Sequence, residues 1–162
     1  MIVIRLKMRV EAPPERVFDL ARSIDLHSES LAWTREVPVA GRTSGLIGLG
    51  ETVTWRAWHL GVRQRQTCRI SGYDRPRWFQ DEMVRGAFAW MRHDHWFDAA
   101  QPGGTVLRDE LRFAAPLGVL GRVAEVLVLR RYMTRFLQRR NAVLKRVAES
   151  DEWRAFLAAG SS

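Results

Sequence analysis

The sequence is poor in the features that mark several protein classes. Its 162 residues include a single cysteine, Cys68, which excludes a disulfide framework and a zinc site built from cysteines. The most apolar stretch, 114–129, is interrupted by Arg122 and Glu125 and so falls short of the roughly 18 apolar residues of a membrane helix. The first residues alternate rather than forming the apolar centre of a signal peptide, so we expect a cytoplasmic protein without a membrane span.

Composition and charge limit the remaining choices. The chain is 46% hydrophobic and 27% charged, which suits one ordinary domain with a real core. Its net charge is +8, and residues 117–150 contribute most of the excess, with eight basic residues against two acidic ones. Such a surface attracts nucleic acid, acidic headgroups or carboxylate ligands, and the charge alone does not choose among them.

Hydrophobic periodicity predicts the order of the elements. Residues 2–11 alternate as a strand with one buried face, and the following Ala12-Pro13-Pro14-Glu15 begins a short helix, with a second expected at 25–31. Glycine and proline breaks divide residues 33–113 into about six antiparallel strands. Helical spacing then continues over 117–150. We predict an α+β fold with one domain at 1–150 and a C-terminal extension at 151–162.

Several local segments accompany this order of elements, namely Ala12-Pro13-Pro14-Glu15-Arg16-Val17-Phe18, Gly50-Glu51-Thr52-Val53-Thr54-Trp55, Gly86-Ala87-Phe88, His93-Asp94-His95-Trp96-Phe97, Gly103-Gly104-Thr105 and Phe113-Ala114-Ala115-Pro116-Leu117-Gly118. Together with the order, they resemble the SRPBCC superfamily, which includes START domains, birch-pollen-allergen-like proteins and polyketide cyclase/dehydrase-type proteins. The resemblance implies a helix-grip fold, in which a curved seven-stranded antiparallel sheet surrounds a long C-terminal helix and encloses a ligand cavity. It specifies fold more than chemistry, since this scaffold serves carriers, sensors and enzymes.

Tight hairpins allow the facing residues to be predicted. A two-residue turn at Leu60-Gly61 fixes the register of its two strands, and agreement of the apolar faces extends the pairing to the later strands. The predicted pairs are His59 with Val62, Trp55 with Gln66, Val53 with Cys68, Cys68 with Asp81, Gln66 with Met83, Met83 with Met91, Asp81 with His93, and His95 with Asp109.

The choice of the inner face rests on periodicity and on the pattern that the resemblance implies, and this face is an apolar wall interrupted by ionisable residues. Such residues require partners or water, which favours a cavity filled by a ligand or by water. We therefore predict binding of a small hydrophobic or aromatic ligand, with an acidic ligand as one form of this hypothesis. The predicted ligand-binding residues are Trp55, Gln66, Asp81, Met83, Met91, His93, His95, Asp109, Phe136 and Arg140.

Two histidines on one strand raise three interpretations. The spacing of His93 and His95 occurs in metal sites, but the candidate third ligand, His59, is predicted two strands away, so we expect no metal and no cofactor. Cross-strand hydrogen bonds from His93 to Asp81 and from His95 to Asp109 are favoured instead. In the alternative of a polyketide cyclase/dehydrase-like enzyme, the same four residues are the catalytic candidates, with each aspartate orienting a histidine as a base.

Arg140 lies within the apolar stripe of the predicted long helix. It either forms a structural contact, reaching water or pairing with Asp81, Asp109 or Glu51, or binds a carboxylate or phosphate of a ligand. The sequence leaves both interpretations open.

The opposite face of the sheet interleaves tryptophan with arginine. We rank a cation–π ladder first, a homodimer contact second, and nucleic-acid binding a distant third because no recognised nucleic-acid motif is present. The tryptophans predicted to lie outside the cavity are Trp58, Trp78, Trp90 and Trp96.

Overall fold

Seven strands form one antiparallel sheet in the described part of the chain. The computed structural model describes residues 1–114 and 128–158. The sheet order is β1-β7-β6-β5-β4-β3-β2, so the first strand lies beside the last, as predicted. The strands are β1 (Ile2–Val10), β2 (Val37–Gly41), β3 (Thr52–His59), β4 (Val62–Asp74), β5 (Trp78–Arg85), β6 (Trp90–Ala100) and β7 (Gly104–Ala114).

Helices cover the inner face of this sheet. Two short ones follow β1, namely α1 (Pro14–Ala21) and α2 (Ile24–Ser30), and a 3-10 turn at Ala32–Thr34 leads into β2. The long helix, α3 (Arg130–Glu149), confirms the predicted C-terminal helix from Arg130 onward, whereas the predicted residues 117–127 lie outside the described part. The short α4 (Trp153–Leu157) packs Trp153 beneath Arg16 of α1, with the guanidinium 4.4 Å from the ring centre.

The core consists of two apolar clusters between the helices and the sheet. One surrounds Phe18 of α1, whose ring meets Phe79 and Phe97 edge-on at 5.5 and 5.2 Å. The other joins the inner residues of β1 and β7 to α3, where Met133 and Phe136 are buried. Burying these side chains is the main favourable contribution to folding, at about 1.5–3 kcal/mol for each large one.

The predicted register is correct over most of the sheet. His59 faces Val62, Trp55 faces Gln66, Asp81 faces His93 and His95 faces Asp109. Between β4 and β5 the prediction is wrong by two residues, because Cys68 faces Met83 and Ile70 faces Asp81. The turn that places Asp74 opposite Trp78 sets this register, and one-residue shifts at Thr67/Cys68 and Ile70/Gly72, of the kind that β-bulges produce, modify it locally. Since side chains alternate with a period of two, this error leaves every residue on its predicted face.

Candidate functional site

A cavity of about 520 Å³ lies between the sheet and helices α2 and α3. Most of its lining is apolar, contributed by both core clusters. Among its flat surfaces is Trp55, whose indole stacks on the imidazole of His27 with 4.3 Å between ring centres. The predicted ligand-binding residues that line it are Trp55, Gln66, Asp81, Met91, His93, His95, Phe136 and Arg140.

Met83 and Asp109 do not line this cavity, which corrects two of the predicted positions. The Met83 side chain packs against the turn at Gly86, where an added Cβ would come within 2.6 Å of its sulfur, and it borders a separate pocket beside Trp90. Asp109 is only 2% exposed and lies behind the two histidines. Its influence on the cavity is therefore exerted through the imidazoles.

Four strand residues from β5, β6 and β7 form one hydrogen-bonded cluster. One carboxylate oxygen of Asp109, Oδ1, lies 3.0 Å from His93 Nε2 and 2.8 Å from His95 Nδ1. The other nitrogen of His95, Nε2, lies 3.0 Å from Oδ2 of Asp81. The expected bond between His93 and Asp81 is absent, since His93 Nδ1 and Asp81 Oδ2 are 4.0 Å apart. The pairing is wrong in this detail because the side chains bond diagonally across the strands.

Opposing effects set the pKa values in this cluster. Burial acts to raise the pKa of Asp109, but the hydrogen bonds with His93 and His95 outweigh it and hold this pKa well below the usual value. Burial acts to lower the pKa of His95, yet its bonds to Asp109 and Asp81 raise it overall. The pKa of His93 is lowered by burial and by the neighbouring His95. His95 therefore keeps its proton to a higher pH than His93 does.

Two polar residues of α3 reach the same region. Asn141 donates a hydrogen bond of 2.5 Å from Nδ2 to Oδ2 of Asp109. Arg140 is 7% exposed, and one guanidinium nitrogen, Nη2, donates to the carbonyl oxygen of Ala21 at 3.3 Å. The second terminal nitrogen of this guanidinium, Nη1, lies 3.7 Å from Asp109 Oδ1 and has no hydrogen-bond partner among the described residues. Arg140 therefore combines a loose structural ion pair with an unused donor.

A second polar region of the cavity was not predicted from the sequence. Glu36 is 7% exposed and accepts a hydrogen bond of 3.0 Å from His27 through Oε1, while Oε2 has no partner among the described residues. Nearby in the lining, His59 Nδ1 and the Tyr132 hydroxyl are 2.8 Å apart. Burial lowers the pKa of His59, so a neutral ring is favoured there.

Sequence signals for the missed residues differ in strength. Asn141 follows Leu137 by four positions and precedes Leu144 by three, so it interrupts the buried stripe of α3 and could have been identified by helical spacing. Glu36 has no comparable pattern. Arg35 before it adopts a left-handed conformation at φ 53°, at the end of the 3-10 turn, and this local reversal is not evident from periodicity.

The thiol of Cys68 lies on the apolar wall of the cavity. It is 7% exposed and accepts a weak hydrogen bond of 3.4 Å from Gln66 Nε2. Burial raises the pKa of this thiol well above its usual value. A cysteine in this state is a small apolar wall residue rather than a nucleophile.

The outer face of the sheet carries the predicted tryptophans and arginines. Trp58 and Trp90 are 47% and 40% exposed, and the indole of Trp96 lies under Arg108 at 5.2 Å. Trp78 donates from its ring nitrogen to Asp94 at 3.1 Å. The ranking of cation–π ladder, homodimer contact and nucleic acid stays a prediction.

The arrangement of a curved antiparallel sheet, a long C-terminal helix and a cavity between them defines a helix-grip fold. The sequence profile of the polyketide cyclase/dehydrase and lipid transport family matches residues 1–149. The chain belongs to this family, within the SRPBCC superfamily that the sequence resembles. No curated protein matches the chain. In the described residues, no helix is long and apolar enough to cross a bilayer.

Solved structures share this fold at low sequence identity. The Zhui aromatase/cyclase from Streptomyces sp. R1128 is 16% identical, with a TM-score of 0.72 over 98% of both chains. The protein TTHA0849 from Thermus thermophilus is 19% identical, with a TM-score of 0.72 over 90% of this chain and 95% of its own. A START superfamily protein from Mycobacterium smegmatis is 12% identical, with a TM-score of 0.67 over 91% and 97%. These similarities establish the fold alone.

Proposed function

We propose that this protein binds a small hydrophobic or aromatic molecule that carries an acidic group. The observation that carries the proposal is the buried guanidinium of Arg140, a residue of the cavity lining, whose Nη1 has only the 3.7 Å ion pair with Asp109 and no hydrogen bond among the described residues. An arginine side chain stays charged in a protein, so a buried one requires an anion or water. A carboxylate or phosphate of a ligand would supply that anion.

The size and lining of the cavity support the hydrophobic part of the proposal. A volume of about 520 Å³ falls within the range of about 300–1,000 Å³ that small-molecule sites occupy. The indole of Trp55, stacked on His27, offers a flat surface to an aromatic ring. Glu36 adds a second polar position, because its unpartnered Oε2 would accept a hydrogen bond from a ligand hydroxyl or amine.

A matched pair of probes tests the role of Arg140. Binding of 2-naphthoic acid and of its neutral amide is measured by tryptophan fluorescence for the unmodified chain, Arg140→Met and Arg135→Met, the last altering an exposed arginine of α3. Arg140→Met should weaken binding of the acid by about 1.5–3 kcal/mol, the value of a charged hydrogen bond, or about 10- to 150-fold. Binding of the amide should be unchanged, and Arg135→Met should leave both affinities unchanged.

Trp55→Phe provides the control for the reporter. This variant should keep both affinities within a small factor, measured by calorimetry, while losing most of the fluorescence response. Equal binding of acid and amide by the unmodified chain, or equal loss of both in Arg140→Met, would contradict the proposed anion contact.

A cyclase/dehydrase-like enzyme is the second candidate function. It is favoured by His93, whose Nε2 bonds Asp109 while Nδ1 has no hydrogen bond to any described residue. A ring held in this way can accept a proton from an acidic carbon beside a carbonyl group. Deuterium exchange at the α-carbon of ethyl acetoacetate, followed by NMR, tests this function. The unmodified chain should accelerate the exchange over the rate in buffer. His93→Gln should lose this acceleration, whereas His59→Gln should keep it. Exchange at the buffer rate would contradict it.

A further inference from the structure

Three potential metal-ligand atoms meet at the cavity wall. Asp81, His93 and His95 each offer one ligand atom, and the three atoms lie within 4.8 Å of one another. Asp81 Oδ2 is 3.0 Å from His95 Nε2 and 4.0 Å from His93 Nδ1. Ligand atoms about 2.1 Å from a tetrahedral zinc ion are roughly 3.4 Å apart, so small side-chain rotations would bring these three into range. The third ligand is Asp81 rather than His59, the residue that the sequence-based argument considered.

The hydrogen bonds to Asp109 determine which nitrogens face the metal position. An ionised carboxylate can only accept hydrogen bonds, so His93 Nε2 and His95 Nδ1 must each carry a hydrogen and donate a hydrogen bond to Asp109 Oδ1. In neutral rings this leaves lone pairs on His93 Nδ1 and His95 Nε2, the two atoms that face Asp81. A carboxylate that orients ligand histidines from behind is the usual second layer of a protein metal site.

The local charges also suit a cation. Asp81 and Asp109 each contribute a negative charge, and Arg140, 3.7 Å from Asp109, contributes one positive charge. With neutral imidazoles the net charge is about −1, so a buried positive charge is needed between His95 and Asp81, where two acceptors would otherwise face each other. A proton on His95 or a metal ion can satisfy this requirement.

We propose that Asp81, His93 and His95 form a binding site for a divalent transition-metal ion such as Zn²⁺ or Fe²⁺. Two imidazoles and one carboxylate suit these ions. Three protein ligands leave coordination positions open, and because all three residues line the cavity, those positions face the bound molecule. An oxygen atom of that molecule would complete the coordination. The site depends on this cluster alone, so it stands even if the acidic-ligand proposal fails.

Titration of the chelator-treated, full-length protein with Co²⁺ alone tests the site. Co²⁺ bound by nitrogen and oxygen ligands gives a visible absorption spectrum, and Zn²⁺ added afterwards should displace it. We expect one equivalent to bind, and the signal to be lost in both Asp81→Asn and His95→Gln. Asp109→Asn should keep the spectrum but weaken the affinity by about 10- to 100-fold, as expected for a residue behind the ligands.

His59→Gln serves as the matched control, because it removes a cavity histidine outside the cluster. This variant should bind Co²⁺ like the unmodified chain. Circular dichroism verifies that each variant is folded. If Asp81→Asn or His95→Gln does not fold, His93→Gln is used in its place. The proposal is overturned if the unmodified chain shows no Co²⁺ spectrum, or if the spectrum persists in Asp81→Asn and His95→Gln. It is also overturned if His59→Gln abolishes the signal.

Discussion

The two faces of the sheet treat charge in opposite ways. On the outer face several cations have an adjacent carboxylate in water, as in the pair of Arg108 with Asp98 at 2.6 Å, whose side chains are 45% and 52% exposed. On the inner face Asp109 is almost fully buried and shares one oxygen between two histidines. Exposed pairs contribute little to stability, whereas buried charges carry large opposing terms. The difference predicts that removing a charge costs far more stability on the inner face than on the outer face.

The largest effect should come from removing the shared carboxylate. Asp109→Ala leaves the two histidines and Asn141 without their common partner, so the free energy of unfolding should fall by about 3–5 kcal/mol. Urea denaturation measures the loss. Asp98→Ala, the same change on the outer face, should cost less than about 1 kcal/mol. Similar losses for the two variants would remove the contrast between the faces.

Replacement of Arg140 should have a smaller effect on the ligand-free protein. Asp109 keeps hydrogen bonds from His93, His95 and Asn141 when Arg140 is changed to methionine, so no carboxylate is left without a partner. We expect Arg140→Met to lower the free energy of unfolding by about 1–2 kcal/mol, again by urea denaturation. A loss as large as that of Asp109→Ala would show that Arg140 is mainly a structural partner, and would sharpen the choice between its two roles.

Asp19 of α1, which pairs with Arg22 and Arg75, should show an intermediate effect that depends on pH. Burial acts to raise the pKa of Asp19, but its hydrogen bonds to Arg75 and Arg22 outweigh burial and lower it. A lowered carboxyl pKa gives stability that is present above the pKa of the unfolded chain and is lost as pH falls through the lowered value. Asp19→Asn should therefore cost about 1 kcal/mol at neutral pH and nothing in strong acid. Equal losses at both pH values, measured by chemical denaturation, would argue against this linkage.

The smallest effect is expected on the outer face. Arg92 pairs with Glu82 at 3.0 Å, and its side chain is 42% exposed. Arg92→Gln should change the free energy of unfolding by no more than about 0.5 kcal/mol, and moderate salt should reduce even that. A substantially larger loss in the free energy of unfolding, measured by thermal or urea denaturation, would mean that the outer charges are coupled more strongly than their exposure suggests.

Periodicity and turn chemistry predicted the order of the elements, whereas the helix-grip fold and the choice of the inner face also rested on the resemblance to the SRPBCC superfamily. The Leu60-Gly61 turn fixed the β3–β4 register because a two-residue hairpin permits few alternatives. The irregularities in β4 could not be predicted, since no turn residue marks them, and they changed the partner of Cys68. The cluster residues were predicted from their shared face, but the sharing of Asp109 was not, because diagonal bonding depends on side-chain rotamers. The position of Glu36 in the cavity could not be predicted, because it depends on the left-handed backbone conformation at Arg35.

The pairing of β1 with β7 also has a consequence for the order of folding. Ile2 lies opposite Phe113 and Val10 opposite Thr105, so the first strand has no neighbour in the sheet until the last strand has been synthesised. Closure of such distant contacts is slow because the entropy of a long loop is lost first. The cluster depends on the same event, since Asp109 belongs to β7. The hairpins of β3 to β6 can form locally, but the emerging chain cannot assemble the polar cluster before β7 has been added.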